Sequence, residues 1–194
     1  MSLDQYHKKR NFKQTSEPRG IPRSSESSLT FVVHRHKARQ LHYDFRLELD
    51  GVLKSWAVPR GPSLNPHDKR LAVRVEDHPY EYRDFSGVIP EGNYGAGIVE
   101  IWDQGTYSDI DESGVAQTER IMRQGLQDGN IRFLLHGKKL KGEFALVQLK
   151  GKSSRNWLLI KHHDAHAVET PYDAEADTPR NSPINQYLRE HTQK

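Results

Sequence analysis

From His42 the chain reads His42-Tyr43-Asp44-Phe45-Arg46-Leu47-Glu48-Leu49, a strict alternation of charge-bearing and apolar residues. A period of two predicts a β-strand lying half on a core. Tyr43, Phe45, Leu47 and Leu49 then face inward, and His42, Asp44, Arg46 and Glu48 share the wet side. Neighbours two apart on one face stand roughly 6.6 Å apart, within the combined reach of an imidazole and a carboxylate converging on one ion. Nitrogen plus carboxylate donors suit manganese, iron or zinc better than magnesium or calcium. His36 ends the preceding strand-like run, and a turn through Lys37–Gln40 would bring it beside His42. A His36, His42, Asp44 set would hold a metal facially and leave positions open for substrate. Arg46, one step along, would then offer a forked cation to a metal-bound phosphate. A solvated strand face with ordinary ion pairs fits the same spacing, because a short His-x-Asp is common.

Other stretches bear on chemistry less directly. His78 precedes a proline in Glu76-Asp77-His78-Pro79-Tyr80-Glu81-Tyr82, which predicts an extended or turn conformation. Histidine is the side chain most readily used for proton transfer near neutral pH, and Tyr82 offers a hydrogen-bond donor nearby. The glycine-rich run Ser86–Gly97 lacks a terminal Gly-Lys-Ser/Thr and is followed by a strand pattern, so it reads as tight turns and not as a phosphate loop. His162-His163-Asp164-Ala165-His166 resembles a metal cluster in composition but opens a polar tail and reads as a solvated loop. His136, in a basic hairpin with Lys138, Lys139 and Lys141, reads as structural.

The elements that must position these residues are short. Leu29–Arg35, Leu41–Leu49, Ser55–Val58, Leu71–Val75, Gly97–Trp102, Gly105–Tyr107, Ile131–His136, Phe144–Leu149 and Trp157–Lys161 are apolar or alternating runs punctuated by Gly, Pro, Asn and Asp. Such spacing predicts a mainly β fold, a closed or partly closed barrel. One helix is expected over about 117–127, with Ile121, Met122, Gly125 and Leu126 as its apolar stripe and Gly129 ending it. A second short helix is expected near Ile184–Glu190. Residues 1–28 form a basic leader with Lys8, Lys9, Arg10, Lys13, Arg19 and Arg23, attractive to phosphates whether loose or ordered over the site. Residues 29–168 form the barrel domain and 169–194 a polar extension.

The bulk numbers exclude several classes. The 194 residues suffice for one ordinary domain. Cysteine is absent, which removes disulfides, zinc-thiolate sites and a thiol nucleophile, and suits a reducing cytoplasm. No apolar run approaches a membrane span, and no basic-then-apolar secretory leader is visible. A net charge of +3 permits polyanion binding without requiring it.

The runs Leu41-His42-Tyr43-Asp44-Phe45-Arg46-Leu47-Glu48-Leu49, Leu53-Lys54-Ser55-Trp56-Ala57-Val58-Pro59, Glu76-Asp77-His78-Pro79, Ile89-Pro90-Glu91-Gly92-Asn93-Tyr94-Gly95-Ala96-Gly97 and Trp157-Leu158-Leu159-Ile160-Lys161 together strongly resemble the 3′-phosphoesterase domain of bacterial DNA ligase D. The resemblance covers about residues 30–165. It implies a manganese-dependent β-barrel enzyme, with Zn2+ or Co2+ as alternatives, acting at 3′ ends in double-strand-break repair by non-homologous end joining. Such an enzyme trims a 3′-terminal ribonucleotide to leave a 3′-phosphate and then removes that phosphate. Position by position, the resemblance places the metal ligands on His36, His42 and Asp44 and the phosphate-binding arginines on Arg46 and Arg70. It places the later histidine and tyrosine on His78 and Tyr82, and a further basic site residue on Arg60. Arg10-Asn11-Phe12 and Glu17-Pro18 resemble a leader segment that contacts the site, with Asn11 where an aspartate is usual. His34 stands where a glutamine is expected and would support or alter the metal shell. The resemblance further implies a prokaryotic, cytoplasmic, nucleoid-associated protein working on DNA or RNA-tipped DNA. At this length it would be a stand-alone version meeting a separate ligase, polymerase and end-binding protein in trans. Two other classes share some of these features: a non-haem Fe(II) oxygenase built on His42, Asp44 and a distant histidine, and a non-catalytic nucleic-acid-binding barrel.

Overall fold

A computed structural model describes residues 3–21, 27–151 and 153–191; Arg23, one of the leader's cations, lies outside them. Among the described residues ten strands follow one another: β1 (Leu29–Lys37), β2 (Leu41–Leu49), β3 (Val52–Val58), β4 (Lys69–Arg74), β5 (His78–Pro79), β6 (Gly87–Ile89), β7 (Gly97–Ser108), β8 (Asn130–Gly137), β9 (Lys141–Gln148) and β10 (Asn156–Lys161). Helices α1 (Asp4–Lys8), α2 (Val115–Asp128) and α3 (Pro183–His191) and a 3₁₀ turn at Tyr80–Asp84 accompany them. Eight strands pair antiparallel in the order β1-β2-β3-β4-β10-β9-β8-β7, and β7 returns to β1 to close a barrel. Closure removes the unpaired edges that an open sheet would expose. The two remaining strands lie off the ring, β6 on β7 and β5 on β3. The mainly β barrel expected from the strand spacing is therefore the fold that forms.

Alternation decides what fills it. Phe45 and Leu47 of β2 point into a core with Phe31, Trp56, Phe133 and Trp157. Phe45 stacks on Phe133 at 5.9 Å, and Trp56 meets Trp157 edge-on at 6.1 Å. Helix α2 adds Met122 to this core and ends at Gly129, whose φ of 74° is a left-handed conformation open to glycine.

The structure departs from the sequence reading in two places. The runs Gly97–Trp102 and Gly105–Tyr107 are one strand of 12 residues. Its pairing with β1 slips between Val33, opposite Asp103, and His34, opposite Ile101. Trp102 is the extra residue of a β-bulge, which breaks the alternation and sends its indole into the core. The second departure concerns the outer face of β2, which is not wet. Asp44, Arg46 and Glu48 are 7%, 2% and 1% exposed. A second apolar cluster, including Tyr6, Val32, Tyr82, Phe85 and Ile89, packs over the outside of the barrel wall. Tyr6 of α1 is fully buried there, and its hydroxyl donates to the Pro18 carbonyl at 2.7 Å. A lone tyrosine among charged residues gives no periodic stripe, so the sequence showed no helix in the leader.

The C-terminal segment is fastened to the strand that bears His34 and His36. Arg35 of β1, fully buried, donates from Nε to Glu175 and from its terminal nitrogens to Glu100 at 2.9 Å and Asn185 at 2.8 Å. The Trp102 indole N–H donates to the Ala174 carbonyl at 3.1 Å. Burial works to raise the Glu175 carboxyl, but Arg35 and the Tyr43 hydroxyl outweigh it and hold the group below its ordinary 4.5.

Two outcomes follow. Tyr6→Ala should leave the barrel folded but loosen its outer cover, read as faster limited proteolysis within residues 3–21 at an unchanged far-UV spectrum. A carboxyl with a depressed folded pKa contributes stability that is present above about pH 4.5 and lost as the pH falls through the folded value. Glu175→Gln should therefore flatten that acid loss, measured as urea midpoints from neutral pH downward.

Candidate metal centre

The β1–β2 register sets His36 opposite His42 and His34 opposite Asp44. The two imidazoles of the first pair lie with ring centroids 4.8 Å apart. Each ring has one nitrogen committed to a backbone carbonyl. His36 Nε2–H donates to Gly95 at 2.9 Å, and His42 Nδ1–H donates to Gln40 at 3.0 Å. Those bonds fix the tautomers and leave His36 Nδ1 and His42 Nε2 as lone-pair donors, the usual supporting arrangement for metal-binding histidines. The free nitrogens face the Asp44 carboxylate, His36 Nδ1 at 3.6 Å and His42 Nε2 at 3.7 Å. One ligand atom from each residue lies within 4.8 Å of the others. Donors around one ion at roughly 2.1 Å stand roughly 3.0–3.5 Å apart, so a small contraction completes the shell. Donor types, tautomers and separations all fit a divalent transition metal.

Cations line the wall beside this triad. Arg46 donates from Nε to His34 Nδ1 at 3.3 Å, and from its two terminal nitrogens to Ser55 Oγ at 2.8 Å and Asp44 Oδ2 at 3.1 Å. Its plane lies 4.9 Å from the Tyr82 ring centroid. Burial works to raise the Asp44 carboxyl, but the Arg46 charge and the two imidazoles outweigh it and hold it far below the usual carboxylate range. His34 is the reverse case: burial first, then Arg46, pushes it down to about 3. It is therefore neutral and supports Arg46 from behind.

His78 stands on the same wall. Its Nδ1 lies 2.9 Å from both the Glu76 carbonyl and a terminal nitrogen of Arg46; with the proton on Nδ1 it donates to the carbonyl, and Nε2 accepts from Arg10 at 3.1 Å. Burial, then the charges of Arg46 and Arg10, pushes this imidazole well below its ordinary 6.5. Arg10 comes from the leader, lies over the Tyr6 ring at 3.8 Å, and pairs with Glu17 at 2.9 Å and Glu76 at 3.3 Å. Tyr82 is 3% exposed, and burial raises its hydroxyl well above 10. Arg10, His36, His42, Asp44, Arg46, His78 and Tyr82 thus line one cavity of about 280 Å³.

The structure does not bring every expected residue there. Arg70 is drawn to Asp68 at 2.7 Å and the Tyr172 carbonyl at 2.9 Å, and with Arg60 it lines a separate cleft. Asn11 is exposed and caps its own turn by accepting from the Lys13 amide at 3.2 Å. Conversely, Glu76, Tyr94 and Gly95 line the cavity, and Ser55 anchors Arg46 without having been singled out. Gly95 sits in the glycine-rich segment read only as turns. It is a turn, but its carbonyl orients the His36 imidazole, and nothing in residue type announces a carbonyl. Ser55 was legible only through its register opposite Arg46.

A closed antiparallel barrel thus carries two histidines and an aspartate compatible with a divalent metal, beside a wall of arginines. Residues 34–148 match the DNA Ligase D 3′-phosphoesterase domain. The chain belongs to that family. It is 49% identical over 169 residues to the multifunctional non-homologous end joining protein LigD of Pseudomonas aeruginosa, covering 85% of this chain and 19% of that protein. The LigD protein of Mycolicibacterium smegmatis is 43% identical over 164 residues, 84% of this chain and 21% of that protein. The corresponding Mycobacterium tuberculosis protein is 43% identical over 152 residues, 77% of this chain and 18% of its own length. The chain therefore spans about a fifth of the length of these relatives. Among the described residues no helix is long and apolar enough to cross a membrane.

Asp44→Ala should weaken divalent-metal binding at this triad by about 100-fold or more, since even supporting residues around a metal are worth 10- to 100-fold. Calorimetric titration of the purified protein measures it, with circular dichroism as the check on fold.

Proposed function

We propose that this cavity hydrolyses phosphate esters at the 3′ ends of DNA strands, trimming a 3′-terminal ribonucleotide to leave a 3′-phosphate and then removing that phosphate to give a ligatable 3′-hydroxyl. The observation that supports it is one cavity in which the His36, His42, Asp44 donor set stands beside Arg46 and His78. Membership of the DNA ligase D 3′-phosphoesterase family supports it independently. The setting we infer is end processing in non-homologous end joining.

His36, His42 and Asp44 would hold a divalent ion, Mn2+ in this reading with Zn2+ or Co2+ as substitutes, which would supply Lewis-acid polarisation of the phosphate. Arg46 is already aimed by Asp44, Ser55 and His34, so it neutralises phosphate charge without reorganising. Losing one such prealigned donor typically costs about 2.7–4 kcal/mol of transition-state stabilisation. Arg10 adds a second positive charge to the same wall. Tyr82 keeps its proton and serves as a donor. We assign no direct phosphate contact to Arg70 or Arg60, given their separate cleft.

His78 is neutral beside two guanidinia, with Nε2 toward Arg10. Phosphate charge placed among these cations offsets their repulsion and draws the imidazole toward protonation. In the monoester step His78 first takes up a proton at Nε2 in place of its hydrogen bond from Arg10; water then adds to phosphorus, the P–O3′ bond breaks, the Nε2 proton passes to the leaving oxygen, and a proton of the water is lost to solvent, giving a 3′-hydroxyl and inorganic phosphate.

A denaturing gel of primers ending in a 3′-ribonucleotide or a 3′-phosphate, with and without Mn2+, tests the reading. Metal-dependent appearance of the 3′-phosphate and then the 3′-hydroxyl is expected, whereas metal-independent binding without product would leave only a nucleic-acid-binding barrel. His78→Ala should lower turnover by about 10²–10⁴-fold with Mn2+ affinity nearly unchanged; a parallel loss of metal would remove its proton-transfer role.

A further inference from the structure

Composition makes the run His162-His163-Asp164-Ala165-His166 look like a metal cluster, but most of it is engaged locally. His162 Nδ1 lies 3.1 Å from Glu143 Oε1, and Asp164 accepts from the Lys161 ammonium at 2.5 Å and the Glu143 amide at 2.7 Å. His163 differs. Its Nδ1 stands 3.3 Å from Glu169 Oε1, and His67 Nε2 stands 3.3 Å from the other oxygen of the same carboxylate. The two rings lie 5.8 Å apart at 77°. Two imidazoles and one carboxylate, from the loop before β4, the loop after β10 and the start of the C-terminal segment, thus meet at one point. None of the three lines the cavity of the His36, His42, Asp44 triad.

The backbone under this cluster is fixed. The Val168 amide donates to the Leu64 carbonyl at 2.9 Å. Buried Asn65 donates from Nδ2 to the Thr170 carbonyl at 3.0 Å and accepts the His67 amide on Oδ1 at 2.8 Å. The side chains above it are free to rotate, with His67, His163 and Glu169 73%, 69% and 60% exposed. Asp68, the acid next to His67, does not compete, because Ser63 Oγ holds it at 2.6 Å and Arg70 at 2.7 Å.

Neither imidazole brings a permanent charge to Glu169, so a divalent cation supplies what that carboxylate lacks. Imidazole with carboxylate suits zinc, nickel and copper, and affinity at such sites rises from manganese at the weak end of the series. Among the described residues only the triad already has its ligand atoms within 4.8 Å of one another. The second set must close by side-chain rotation, so it selects the strongly bound metals, and Mn2+ is left to the triad.

We propose that His67, His163 and Glu169 form a second, structural metal site for Zn2+, Ni2+ or Cu2+, which staples the start of the C-terminal segment to the barrel. The staple falls just ahead of Tyr172 and Glu175, whose contacts with Arg70 and Arg35 fasten the same segment further on. The site is independent of the phosphoesterase reading.

Equilibrium dialysis of the full chain against Zn2+ and, separately, Mn2+ tests it, with bound metal counted by elemental analysis. The wild-type chain should take up one more Zn2+ than Mn2+. His67→Ala and His163→Ala should each weaken that additional ion by about tenfold or more, whereas His162→Ala and His166→Ala should keep it. Mn2+ uptake unchanged in all four variants checks their fold. Zn2+ should also slow tryptic cleavage within residues 169–191 of the wild-type chain and not of His163→Ala. Equal uptake of the two metals overturns the proposal, as does an additional Zn2+ that survives in His67→Ala or His163→Ala. Equal loss in His162→Ala shows capture by a histidine-rich loop only and likewise overturns it. Zn2+ that binds at these residues without slowing cleavage overturns the staple.

Discussion

Asp44 is a carboxylate buried in a protein wall, and it stays charged chiefly because the Arg46 guanidinium pairs with it. An isolated buried carboxylate would cost many kcal/mol and would take up a proton instead. Here Arg46 comes from the same strand as Asp44 and the two imidazoles from the same hairpin, so folding β1 onto β2 assembles both the charge and its partners. The low dielectric around them strengthens each attraction. A divalent cation held there would add to that balance by bringing further positive charge to the acidic oxygen.

The barrel wall is used on both sides. Phe45 and Leu47 hold the inner core, and between them Arg46 turns outward under the second apolar cluster. With a side-chain period of two, a one-residue slip of β2 would exchange these roles and bury the arginine among phenylalanines. Closure through β7 fixes the register against such a slip. The cover over the outer face draws on chain segments far apart, Tyr6 from the leader and Tyr82, Phe85 and Ile89 from the stretch after β5. Residues that handle charge can therefore sit at interior-like burial on what is formally the outside of the barrel.

Strand β2 was legible to the residue, because alternation is a local signal, and so was the end of α2 at Gly129. The triad was legible as chemistry, since His36 needed only a hairpin to meet His42. What alternation cannot report is whether a polar face meets water or another layer, so the burial of Asp44 and Arg46 was invisible. The bulge at Trp102 disguised one strand as two. The positions of Arg70 and Arg60 depended on Asp68 and on the Tyr172 carbonyl, long-range partners that no spacing announces. Family resemblance supplied residue identities at these positions, whereas only coordinates could supply directions.

Both histidines of the triad are steered by main-chain oxygens, those of Gln40 and Gly95. A carbonyl persists whatever side chain occupies its residue, so imidazole orientation here is inherited from loop path and not from residue choice. Gln40 itself is thus free to vary provided its turn keeps shape. Gly95 is more constrained, because its φ of 77° lies where side chains are disfavoured. Drift among descendants of this sequence should accordingly be lopsided, generous at one end of the ligand pair and tight at the other.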